Sequence, residues 1–285
     1  MANFQVPDFD NLSNVEGMPK GCAWGVFDKN DKKDHLGCLN FLTPNLVKEA
    51  YKEAQIGISV SLNWPVGALA KPGFNRKGLE HKVIDKNFPG GHRGFDDEIT
   101  FNTQCSSQWD SLVHYQHQAT QTGYNGCRPT PRDLEQPYGQ EDRTYEFPSL
   151  NHWHDRGGVV GRGVLLDYRG YADAKGISFS SFEAKRITVE ELERVAEYQK
   201  TILRYGDILL IRTGFTEDLA AAPSAEAQAE ALSTHKAVGV EGNEKAAKWF
   251  WDKRFSAVAS DAIAFEALPP LREDGSEGGI NELGS

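Results

Sequence analysis

Two short, almost wholly apolar runs constrain the fold most: Val159 to Asp167 (VVGRGVLLD) and Ile208 to Thr213 (ILLIRT). Each has the length and composition of a buried strand. Between them Thr188 and Glu191 form a capping box ahead of an amphipathic helix running to about 204. Tyr205-Gly206-Asp207 then turns the chain into the second run. Upstream, Thr43-Pro44 supplies a capping hydroxyl and a proline at the first helical position. Leu46, Val47, Ala50, Tyr51 and Ala54 follow at helical spacing, and Gly57 is the expected stop. Ile58 to Trp64 alternates as a half-buried strand does, and residues 65–97 read as a long loop holding His81 and His92. Ile99 to Trp109 reads as extended again, and Asp110 as the start of a helix. A polar, Pro-rich loop covers roughly 123–157, helices are expected near 217–233 and 243–252, and a short strand at 255–260. No repeat and no Ser/Gly linker interrupts this order. The expectation is one α/β domain over residues 1–285, with an irregular arm over about 1–42 and a tail over about 270–285.

The formal charge of −10, from 31 Lys+Arg against 41 Asp+Glu, comes with no basic block. Phosphate binding needs clustered cations, so neither nucleic acid nor an anionic membrane is an expected partner. The first ten residues, MANFQVPDFD, carry no basic or apolar segment of a secretory signal, and no run approaches a bilayer span. Cysteines at 22, 38, 105 and 127 form no CxxC pair. Reduced thiols in a cytoplasmic protein are the expectation.

The densest polar cluster is Gln104-Cys-Ser-Ser-Gln108-Trp-Asp110-Ser-Leu-Val-His114. On a strand, positions 104, 106, 108 and 110 share one face. His114 follows Asp110 by one helical turn, so an imidazole, a carboxylate and two amides would meet. The same pattern also suits a helix N-cap at Asp110 and a packed histidine at 114. His117 shares a helical face with His114, and His152-Trp-His154-Asp155 has a spacing that could clasp a metal. Gly161-x-Gly163 precedes its strand, so it is no dinucleotide fingerprint, and no Gly-x-Ser-x-Gly elbow occurs.

The cluster resembles the His-x-Gly-Thr-His-x-Asp-x-x-x-His signature of the putative cyclases and the kynurenine formamidase-like hydrolases, with Asp110 and His114 at its aspartate and last histidine. Trp24-Gly25 and Asp34-His35-Leu36-Gly37-Cys38-Leu39-Asn40-Phe41-Leu42-Thr43-Pro44 resemble the opening of that family. Further likenesses are Ser61-Leu62, Gly161 to Asp167, Gly206 to Gly214 and Ala259-Ser260-Asp261, so the resemblance spans about residues 20–270. It implies the swivelling β/β/α fold, a homodimer or higher homo-oligomer, and hydrolysis of an amide, lactone or other cyclic acyl bond in a small molecule. It also implies a divalent metal (manganese, magnesium or zinc) at Asp110 and at positions 104 and 108, with His114 as general acid/base. Trp24, Gln104, Ser106 and His117 are the expected substrate-binding residues.

The sequence departs from the family at Gln104 and Gln108, which stand where the family has histidines. Fungal members also carry glutamine there. Amide oxygen suits harder cations than zinc, so weak metal binding is the expectation. The family's later helix, with another His and Glu, has no counterpart before Ser285. Two other readings follow from these departures: a metal-independent lyase or cyclising isomerase using Asp110 and His114, and a binding protein without catalysis.

Overall fold

A computed structural model describes residues 6–88, 90–135, 147–272 and 275–278. Its contacts gather into two compact units. The first comprises Met1–Gly57, Asp110–Phe215 and Lys236–Ser285; the second comprises Ile58–Trp109 and Thr216–His235. The architecture is mixed α/β, with several small sheets.

In chain order the regular elements are α1 (Pro44–Ala50), β1 (Glu80–Phe88), β2 (His92–Thr100), α2 (Pro131–Leu134) and α3 (Leu150–Asp155). They continue with β3 (Gly163–Asp167), α4 (Tyr168–Lys175), β4 (Arg186–Ile187), α5 (Val189–Gln199) and β5 (Ile208–Arg212). The last are α6 (Phe215–Ala220), α7 (Ala225–Leu232), β6 (Gly239–Val240), α8 (Glu244–Lys253) and β7 (Ala257–Ser260).

The first unit is built on the parallel sheet β3-β5-β7, the two apolar runs lying side by side as expected. Only one face of these strands is fully buried: Val164, Leu166, Leu209 and Ile211 are enclosed, whereas Leu165 is 46% exposed. The two runs are therefore half-covered strands rather than strands buried on both faces. α5 packs beside them because Val189, Leu192, Val195 and Ala196 fall on one helical stripe. Its start is the expected capping box: Thr188 Oγ1 accepts from the Glu191 N–H at 3.2 Å, and Glu191 Oε2 accepts from the Thr188 N–H at 2.9 Å. The Trp249 indole of α8 donates to Glu193 Oε1 of α5 at 2.6 Å, linking the two helices. Asp261 accepts from the N–H groups of Thr213 and Gly214 at 2.6 and 2.9 Å and so fixes the chain leaving β5, a structural part.

The second unit corrects several expectations. Ile58 to Trp64 forms no strand; Ile58, Val60 and Leu62 are 71–73% exposed, and alternation without a neighbouring strand to pair with is insufficient. The expected loop over 65–97 instead contains the antiparallel hairpin β1-β2. Gly90 and Gly91 adopt φ of +89° and +83°, conformations that reverse the chain cheaply only at glycine. Cross-strand ion pairs join Lys82 to Glu98 at 3.3 Å and Arg93 to Asp85 at 2.6 Å, and His81 Nε2 lies 2.6 Å from Asp97 Oδ1. After Thr100 the chain makes a 3-10 turn, Thr103–Cys105, so no strand runs through 104–110.

In the first unit the expected helix from Asp110 is also not formed; a turn closes there, with the His114 N–H donating to the Ser111 carbonyl at 3.0 Å. Within 123–157 the described residues include the short helices α2 and α3. The helical stretch 217–233 is broken into α6 and α7, and Ser224 caps the second. Among the described residues no helix is long and apolar enough to cross a membrane.

Candidate active site

An open cavity of about 430 Å³ lies within the first unit. The N-terminal arm contributes Met18 and Trp24, the turn after Asp110 contributes Asp110 to Leu112 with His114 and Tyr115, and His117 with Thr122 to Tyr124 closes the far side. Asp110, His114, His117 and Trp24, selected from the sequence, thus line one cavity. Gln104, Ser106 and Gln108 belong to the second unit. There the Ser106 hydroxyl donates to the Trp64 carbonyl at 2.8 Å while Ser107 Oγ accepts from the Trp64 N–H at 2.9 Å. Ser106 therefore holds Trp64 in place. The Gln104 N–H is taken by Asn102 Oδ1 at 2.9 Å, which caps the turn at 103–105.

His114 Nδ1 stands 3.5 Å from Asp110 Oδ1, an ion-pair distance longer than a well-formed hydrogen bond. The side chains are 45% and 52% exposed, so water screens the pair and it adds little to folding. What it offers is an imidazole beside a carboxylate on the lining of a cavity. His117 is held differently: its Nδ1 lies 2.9 Å from Thr120 Oγ1, and its backbone bridges to Thr122.

Tyr124, a lining residue absent from the sequence expectations, is braced by the family-like opening. The Tyr124 hydroxyl donates to Asp34 Oδ2 at 3.1 Å; burial and then the Asp34 carboxylate push its pKa far up, so it remains a neutral donor. Asp34 also accepts from the N–H groups of Leu36 and Gly37 at 3.0 and 2.6 Å and from Asn40 Nδ2 at 2.7 Å. The Asp34–Leu36–Gly37–Asn40 pattern quoted from the sequence is thus one hydrogen-bonded knot behind the cavity. Asn125-Gly126 is a turn signal inside the stretch read as a loop, and it was the available sign of the knot's other half.

Burial raises the thiol pKa of Cys38 to about 11 and also raises those of Cys22 and Cys127, so these three are not activated nucleophiles. His152 lies in α3, where its Nε2 approaches the Phe147 carbonyl at 3.0 Å and its ring lies 4.3 Å from that of His35.

Among the described residues no three His, Cys, Asp or Glu side chains are grouped to hold a metal ion. Asp110 and His114 supply two such donors on the cavity lining. Catalytic zinc normally takes three protein ligands. The donors present do not fit that requirement.

A family model described as Putative cyclase matches residues 41–267. The chain belongs to that family. A crystal structure described as that of a novel cyclase resembles it with a TM-score of 0.69 at 27% identity, over 87% of this chain and 77% of that one. No curated protein matches. For this cyclase-family chain the match takes in the turn at 110–114, the 123–125 wall and the sheet β3-β5-β7, while Trp24 and Asp34 lie ahead of it.

Proposed function

We propose that this chain is a cyclase-family enzyme that hydrolyses an acyl bond (amide, lactone or another cyclic acyl group) in a small molecule, with His114 as general acid/base. The observation that carries the reading is the Asp110–His114 pair at 3.5 Å on the lining of an aromatic-walled cavity. Asp110 beside Nδ1 favours the tautomer protonated there, which leaves Nε2 to exchange a proton with the reactants. Nε2 takes a proton from the attacking water as its oxygen bonds to the acyl carbon. The same proton then passes to the departing nitrogen or oxygen as the acyl bond breaks. The long contact suits a pair that tightens when substrate excludes water, as catalytic hydrogen bonds do. Trp24, Tyr115 and Tyr124 offer flat apolar surface to a ring, and His117 is a further polar contact for it.

The two donors on the lining fall short of the three protein ligands of a catalytic zinc, so no step is routed through a metal. A second reading, a metal-independent lyase or cyclising isomerase, would work through the same two side chains. The swivelling β/β/α arrangement and a homodimeric or larger assembly belong to this proposal as family properties.

Products formed from dihydrocoumarin, an aryl lactone, and formanilide, an aryl formamide, can be identified by mass spectrometry. A product heavier by one water supports hydrolysis. A product isomeric with its substrate would replace hydrolysis by the second reading.

A further inference from the structure

We propose that Asn125 is a positioning residue of the cavity, a single amide that fixes Trp24 relative to Tyr124. The inference rests on the cavity being the substrate site. Asn125 is 8% exposed and has φ +55°, a left-handed conformation that asparagine tolerates better than most residues. Its Oδ1 accepts from the Gly25 N–H at 2.9 Å. Its Nδ2 donates to Asp28 Oδ1 at 2.9 Å and to the Asp34 carbonyl at 3.0 Å. Its own carbonyl accepts from Lys33 Nζ at 2.6 Å. Both amide hydrogens are thus engaged, and the orientation is determined: an N–H faces the oxygen and a carboxylate faces the NH₂.

Every one of these partners lies in the 25–34 segment of the arm, while Asn125 itself directly follows Tyr124, a wall residue. Gly25 directly follows Trp24, another lining residue, and a Cβ at Gly126 would come 3.6 Å from the Trp24 ring. One buried side chain therefore fastens an irregular arm, which has little regular structure of its own, to the turn beside the catalytic pair. The four hydrogen bonds of Asn125 go to Gly25, Asp28, Lys33 and Asp34 and not to Asp110 or His114, so its loss moves a substrate-contacting ring without touching the proton-transfer groups. Such a change weakens binding more than it slows chemistry.

The test compares Asn125→Gly, which keeps the left-handed backbone and deletes the amide, with Asn125→Asp. The second keeps the size and the acceptor for Gly25 but removes both donors and sets a carboxylate against Asp28. With dihydrocoumarin as probe, both variants are expected to raise KM about tenfold, the scale of losing a hydrogen bond to a charged partner, with kcat within about twofold. Hydrogen exchange at the Gly25 amide is expected to accelerate in the glycine variant. Where the probe binds without turning over, Kd from equilibrium dialysis replaces KM, with the same rise expected. Unchanged KM or Kd in both folded variants would overturn the assignment, as would a fall in kcat equal to the rise in KM, or no binding by the unaltered chain. Failure of the acid/base reading looks different: His114→Ala would keep its turnover while the Asn125 variants still showed the split.

Discussion

At the scale of single residues, exposure separates the carboxylate proposed to face a substrate from one that holds the fold. Asp110 and His114 are about half exposed, and a screened pair of this kind is worth less than about 1 kcal/mol to folding. Replacing His114 by alanine should therefore leave the urea midpoint nearly unmoved; a large loss of stability would mark it as structural. Glu191 is the contrast, at 9% exposed. Burial by itself would raise its pKa, but Lys185, the Thr188 N–H and the Tyr168 hydroxyl outweigh burial and hold it below the usual 4.5. A depressed carboxyl stabilises the fold above its unfolded pKa, and that contribution is lost as pH falls through the lower folded value. Glu191→Gln should thus flatten the decline in stability below about pH 4.5, measured by urea unfolding across the acid range. An unchanged acid limb would show that other groups govern it. The role of Glu191 was legible because a capping box is local. For Asn125 only the Asn-Gly turn was legible, and the bonds of Tyr124 and Asn125 were not, because their partners lie about ninety or more residues away.

At the scale of elements, what was legible was what short-range chemistry decides. The α5 start, the β3 and β5 runs, α8 and β7 all emerge from caps, periodicity or apolar runs, and the structure contains them. Thr188→Ala should accordingly cost about 1 kcal/mol in equilibrium unfolding, the usual worth of an N-cap. The β1-β2 hairpin was not legible, because its strands are patterned by charges that meet across the pair rather than by alternating apolar residues. The 104–110 strand failed for the converse reason: its polar alternation matched a pleat, but the Asn102 side chain caps a turn instead. Gly239 in β6 is a stricter case. A Cβ there would come 2.3 Å from the backbone carbon of Glu266 and 2.4 Å from the Ala267 nitrogen. Gly239→Ala must push two backbones apart and should cost about 1–3 kcal/mol, more than the cap. Equal stability of the two variants would contradict the close approach.

At the scale of the whole molecule, the two units differ in what holds them. The first encloses the apolar faces of β3, β5 and α5. In the second, Leu69, Cys105 and Leu219 are the buried hydrophobic residues among those described, and β2 is exposed along nearly its whole length. A two-stranded hairpin has little stability of its own in water. Hydrogen exchange should therefore be much faster over residues 80–100 than over β3, β5 and β7, because opening the hairpin sacrifices little apolar burial. Equal protection would mean that another surface covers the hairpin. The family could be read from the sequence because its motifs are distributed along most of the chain. The location of the cavity could not, since it depends on the arm, the 110–115 turn and the 122–125 segment coming together in three dimensions.

If His114 transfers the proton in an acyl-bond reaction, as proposed, its replacement by alanine removes the acid/base group and spares the fold. With dihydrocoumarin at saturation and both proteins shown to be folded by circular dichroism, kcat of His114→Ala is expected to fall about 10²–10⁴-fold below that of the unaltered chain. Turnover in the variant equal to that of the unaltered chain would contradict the proposal.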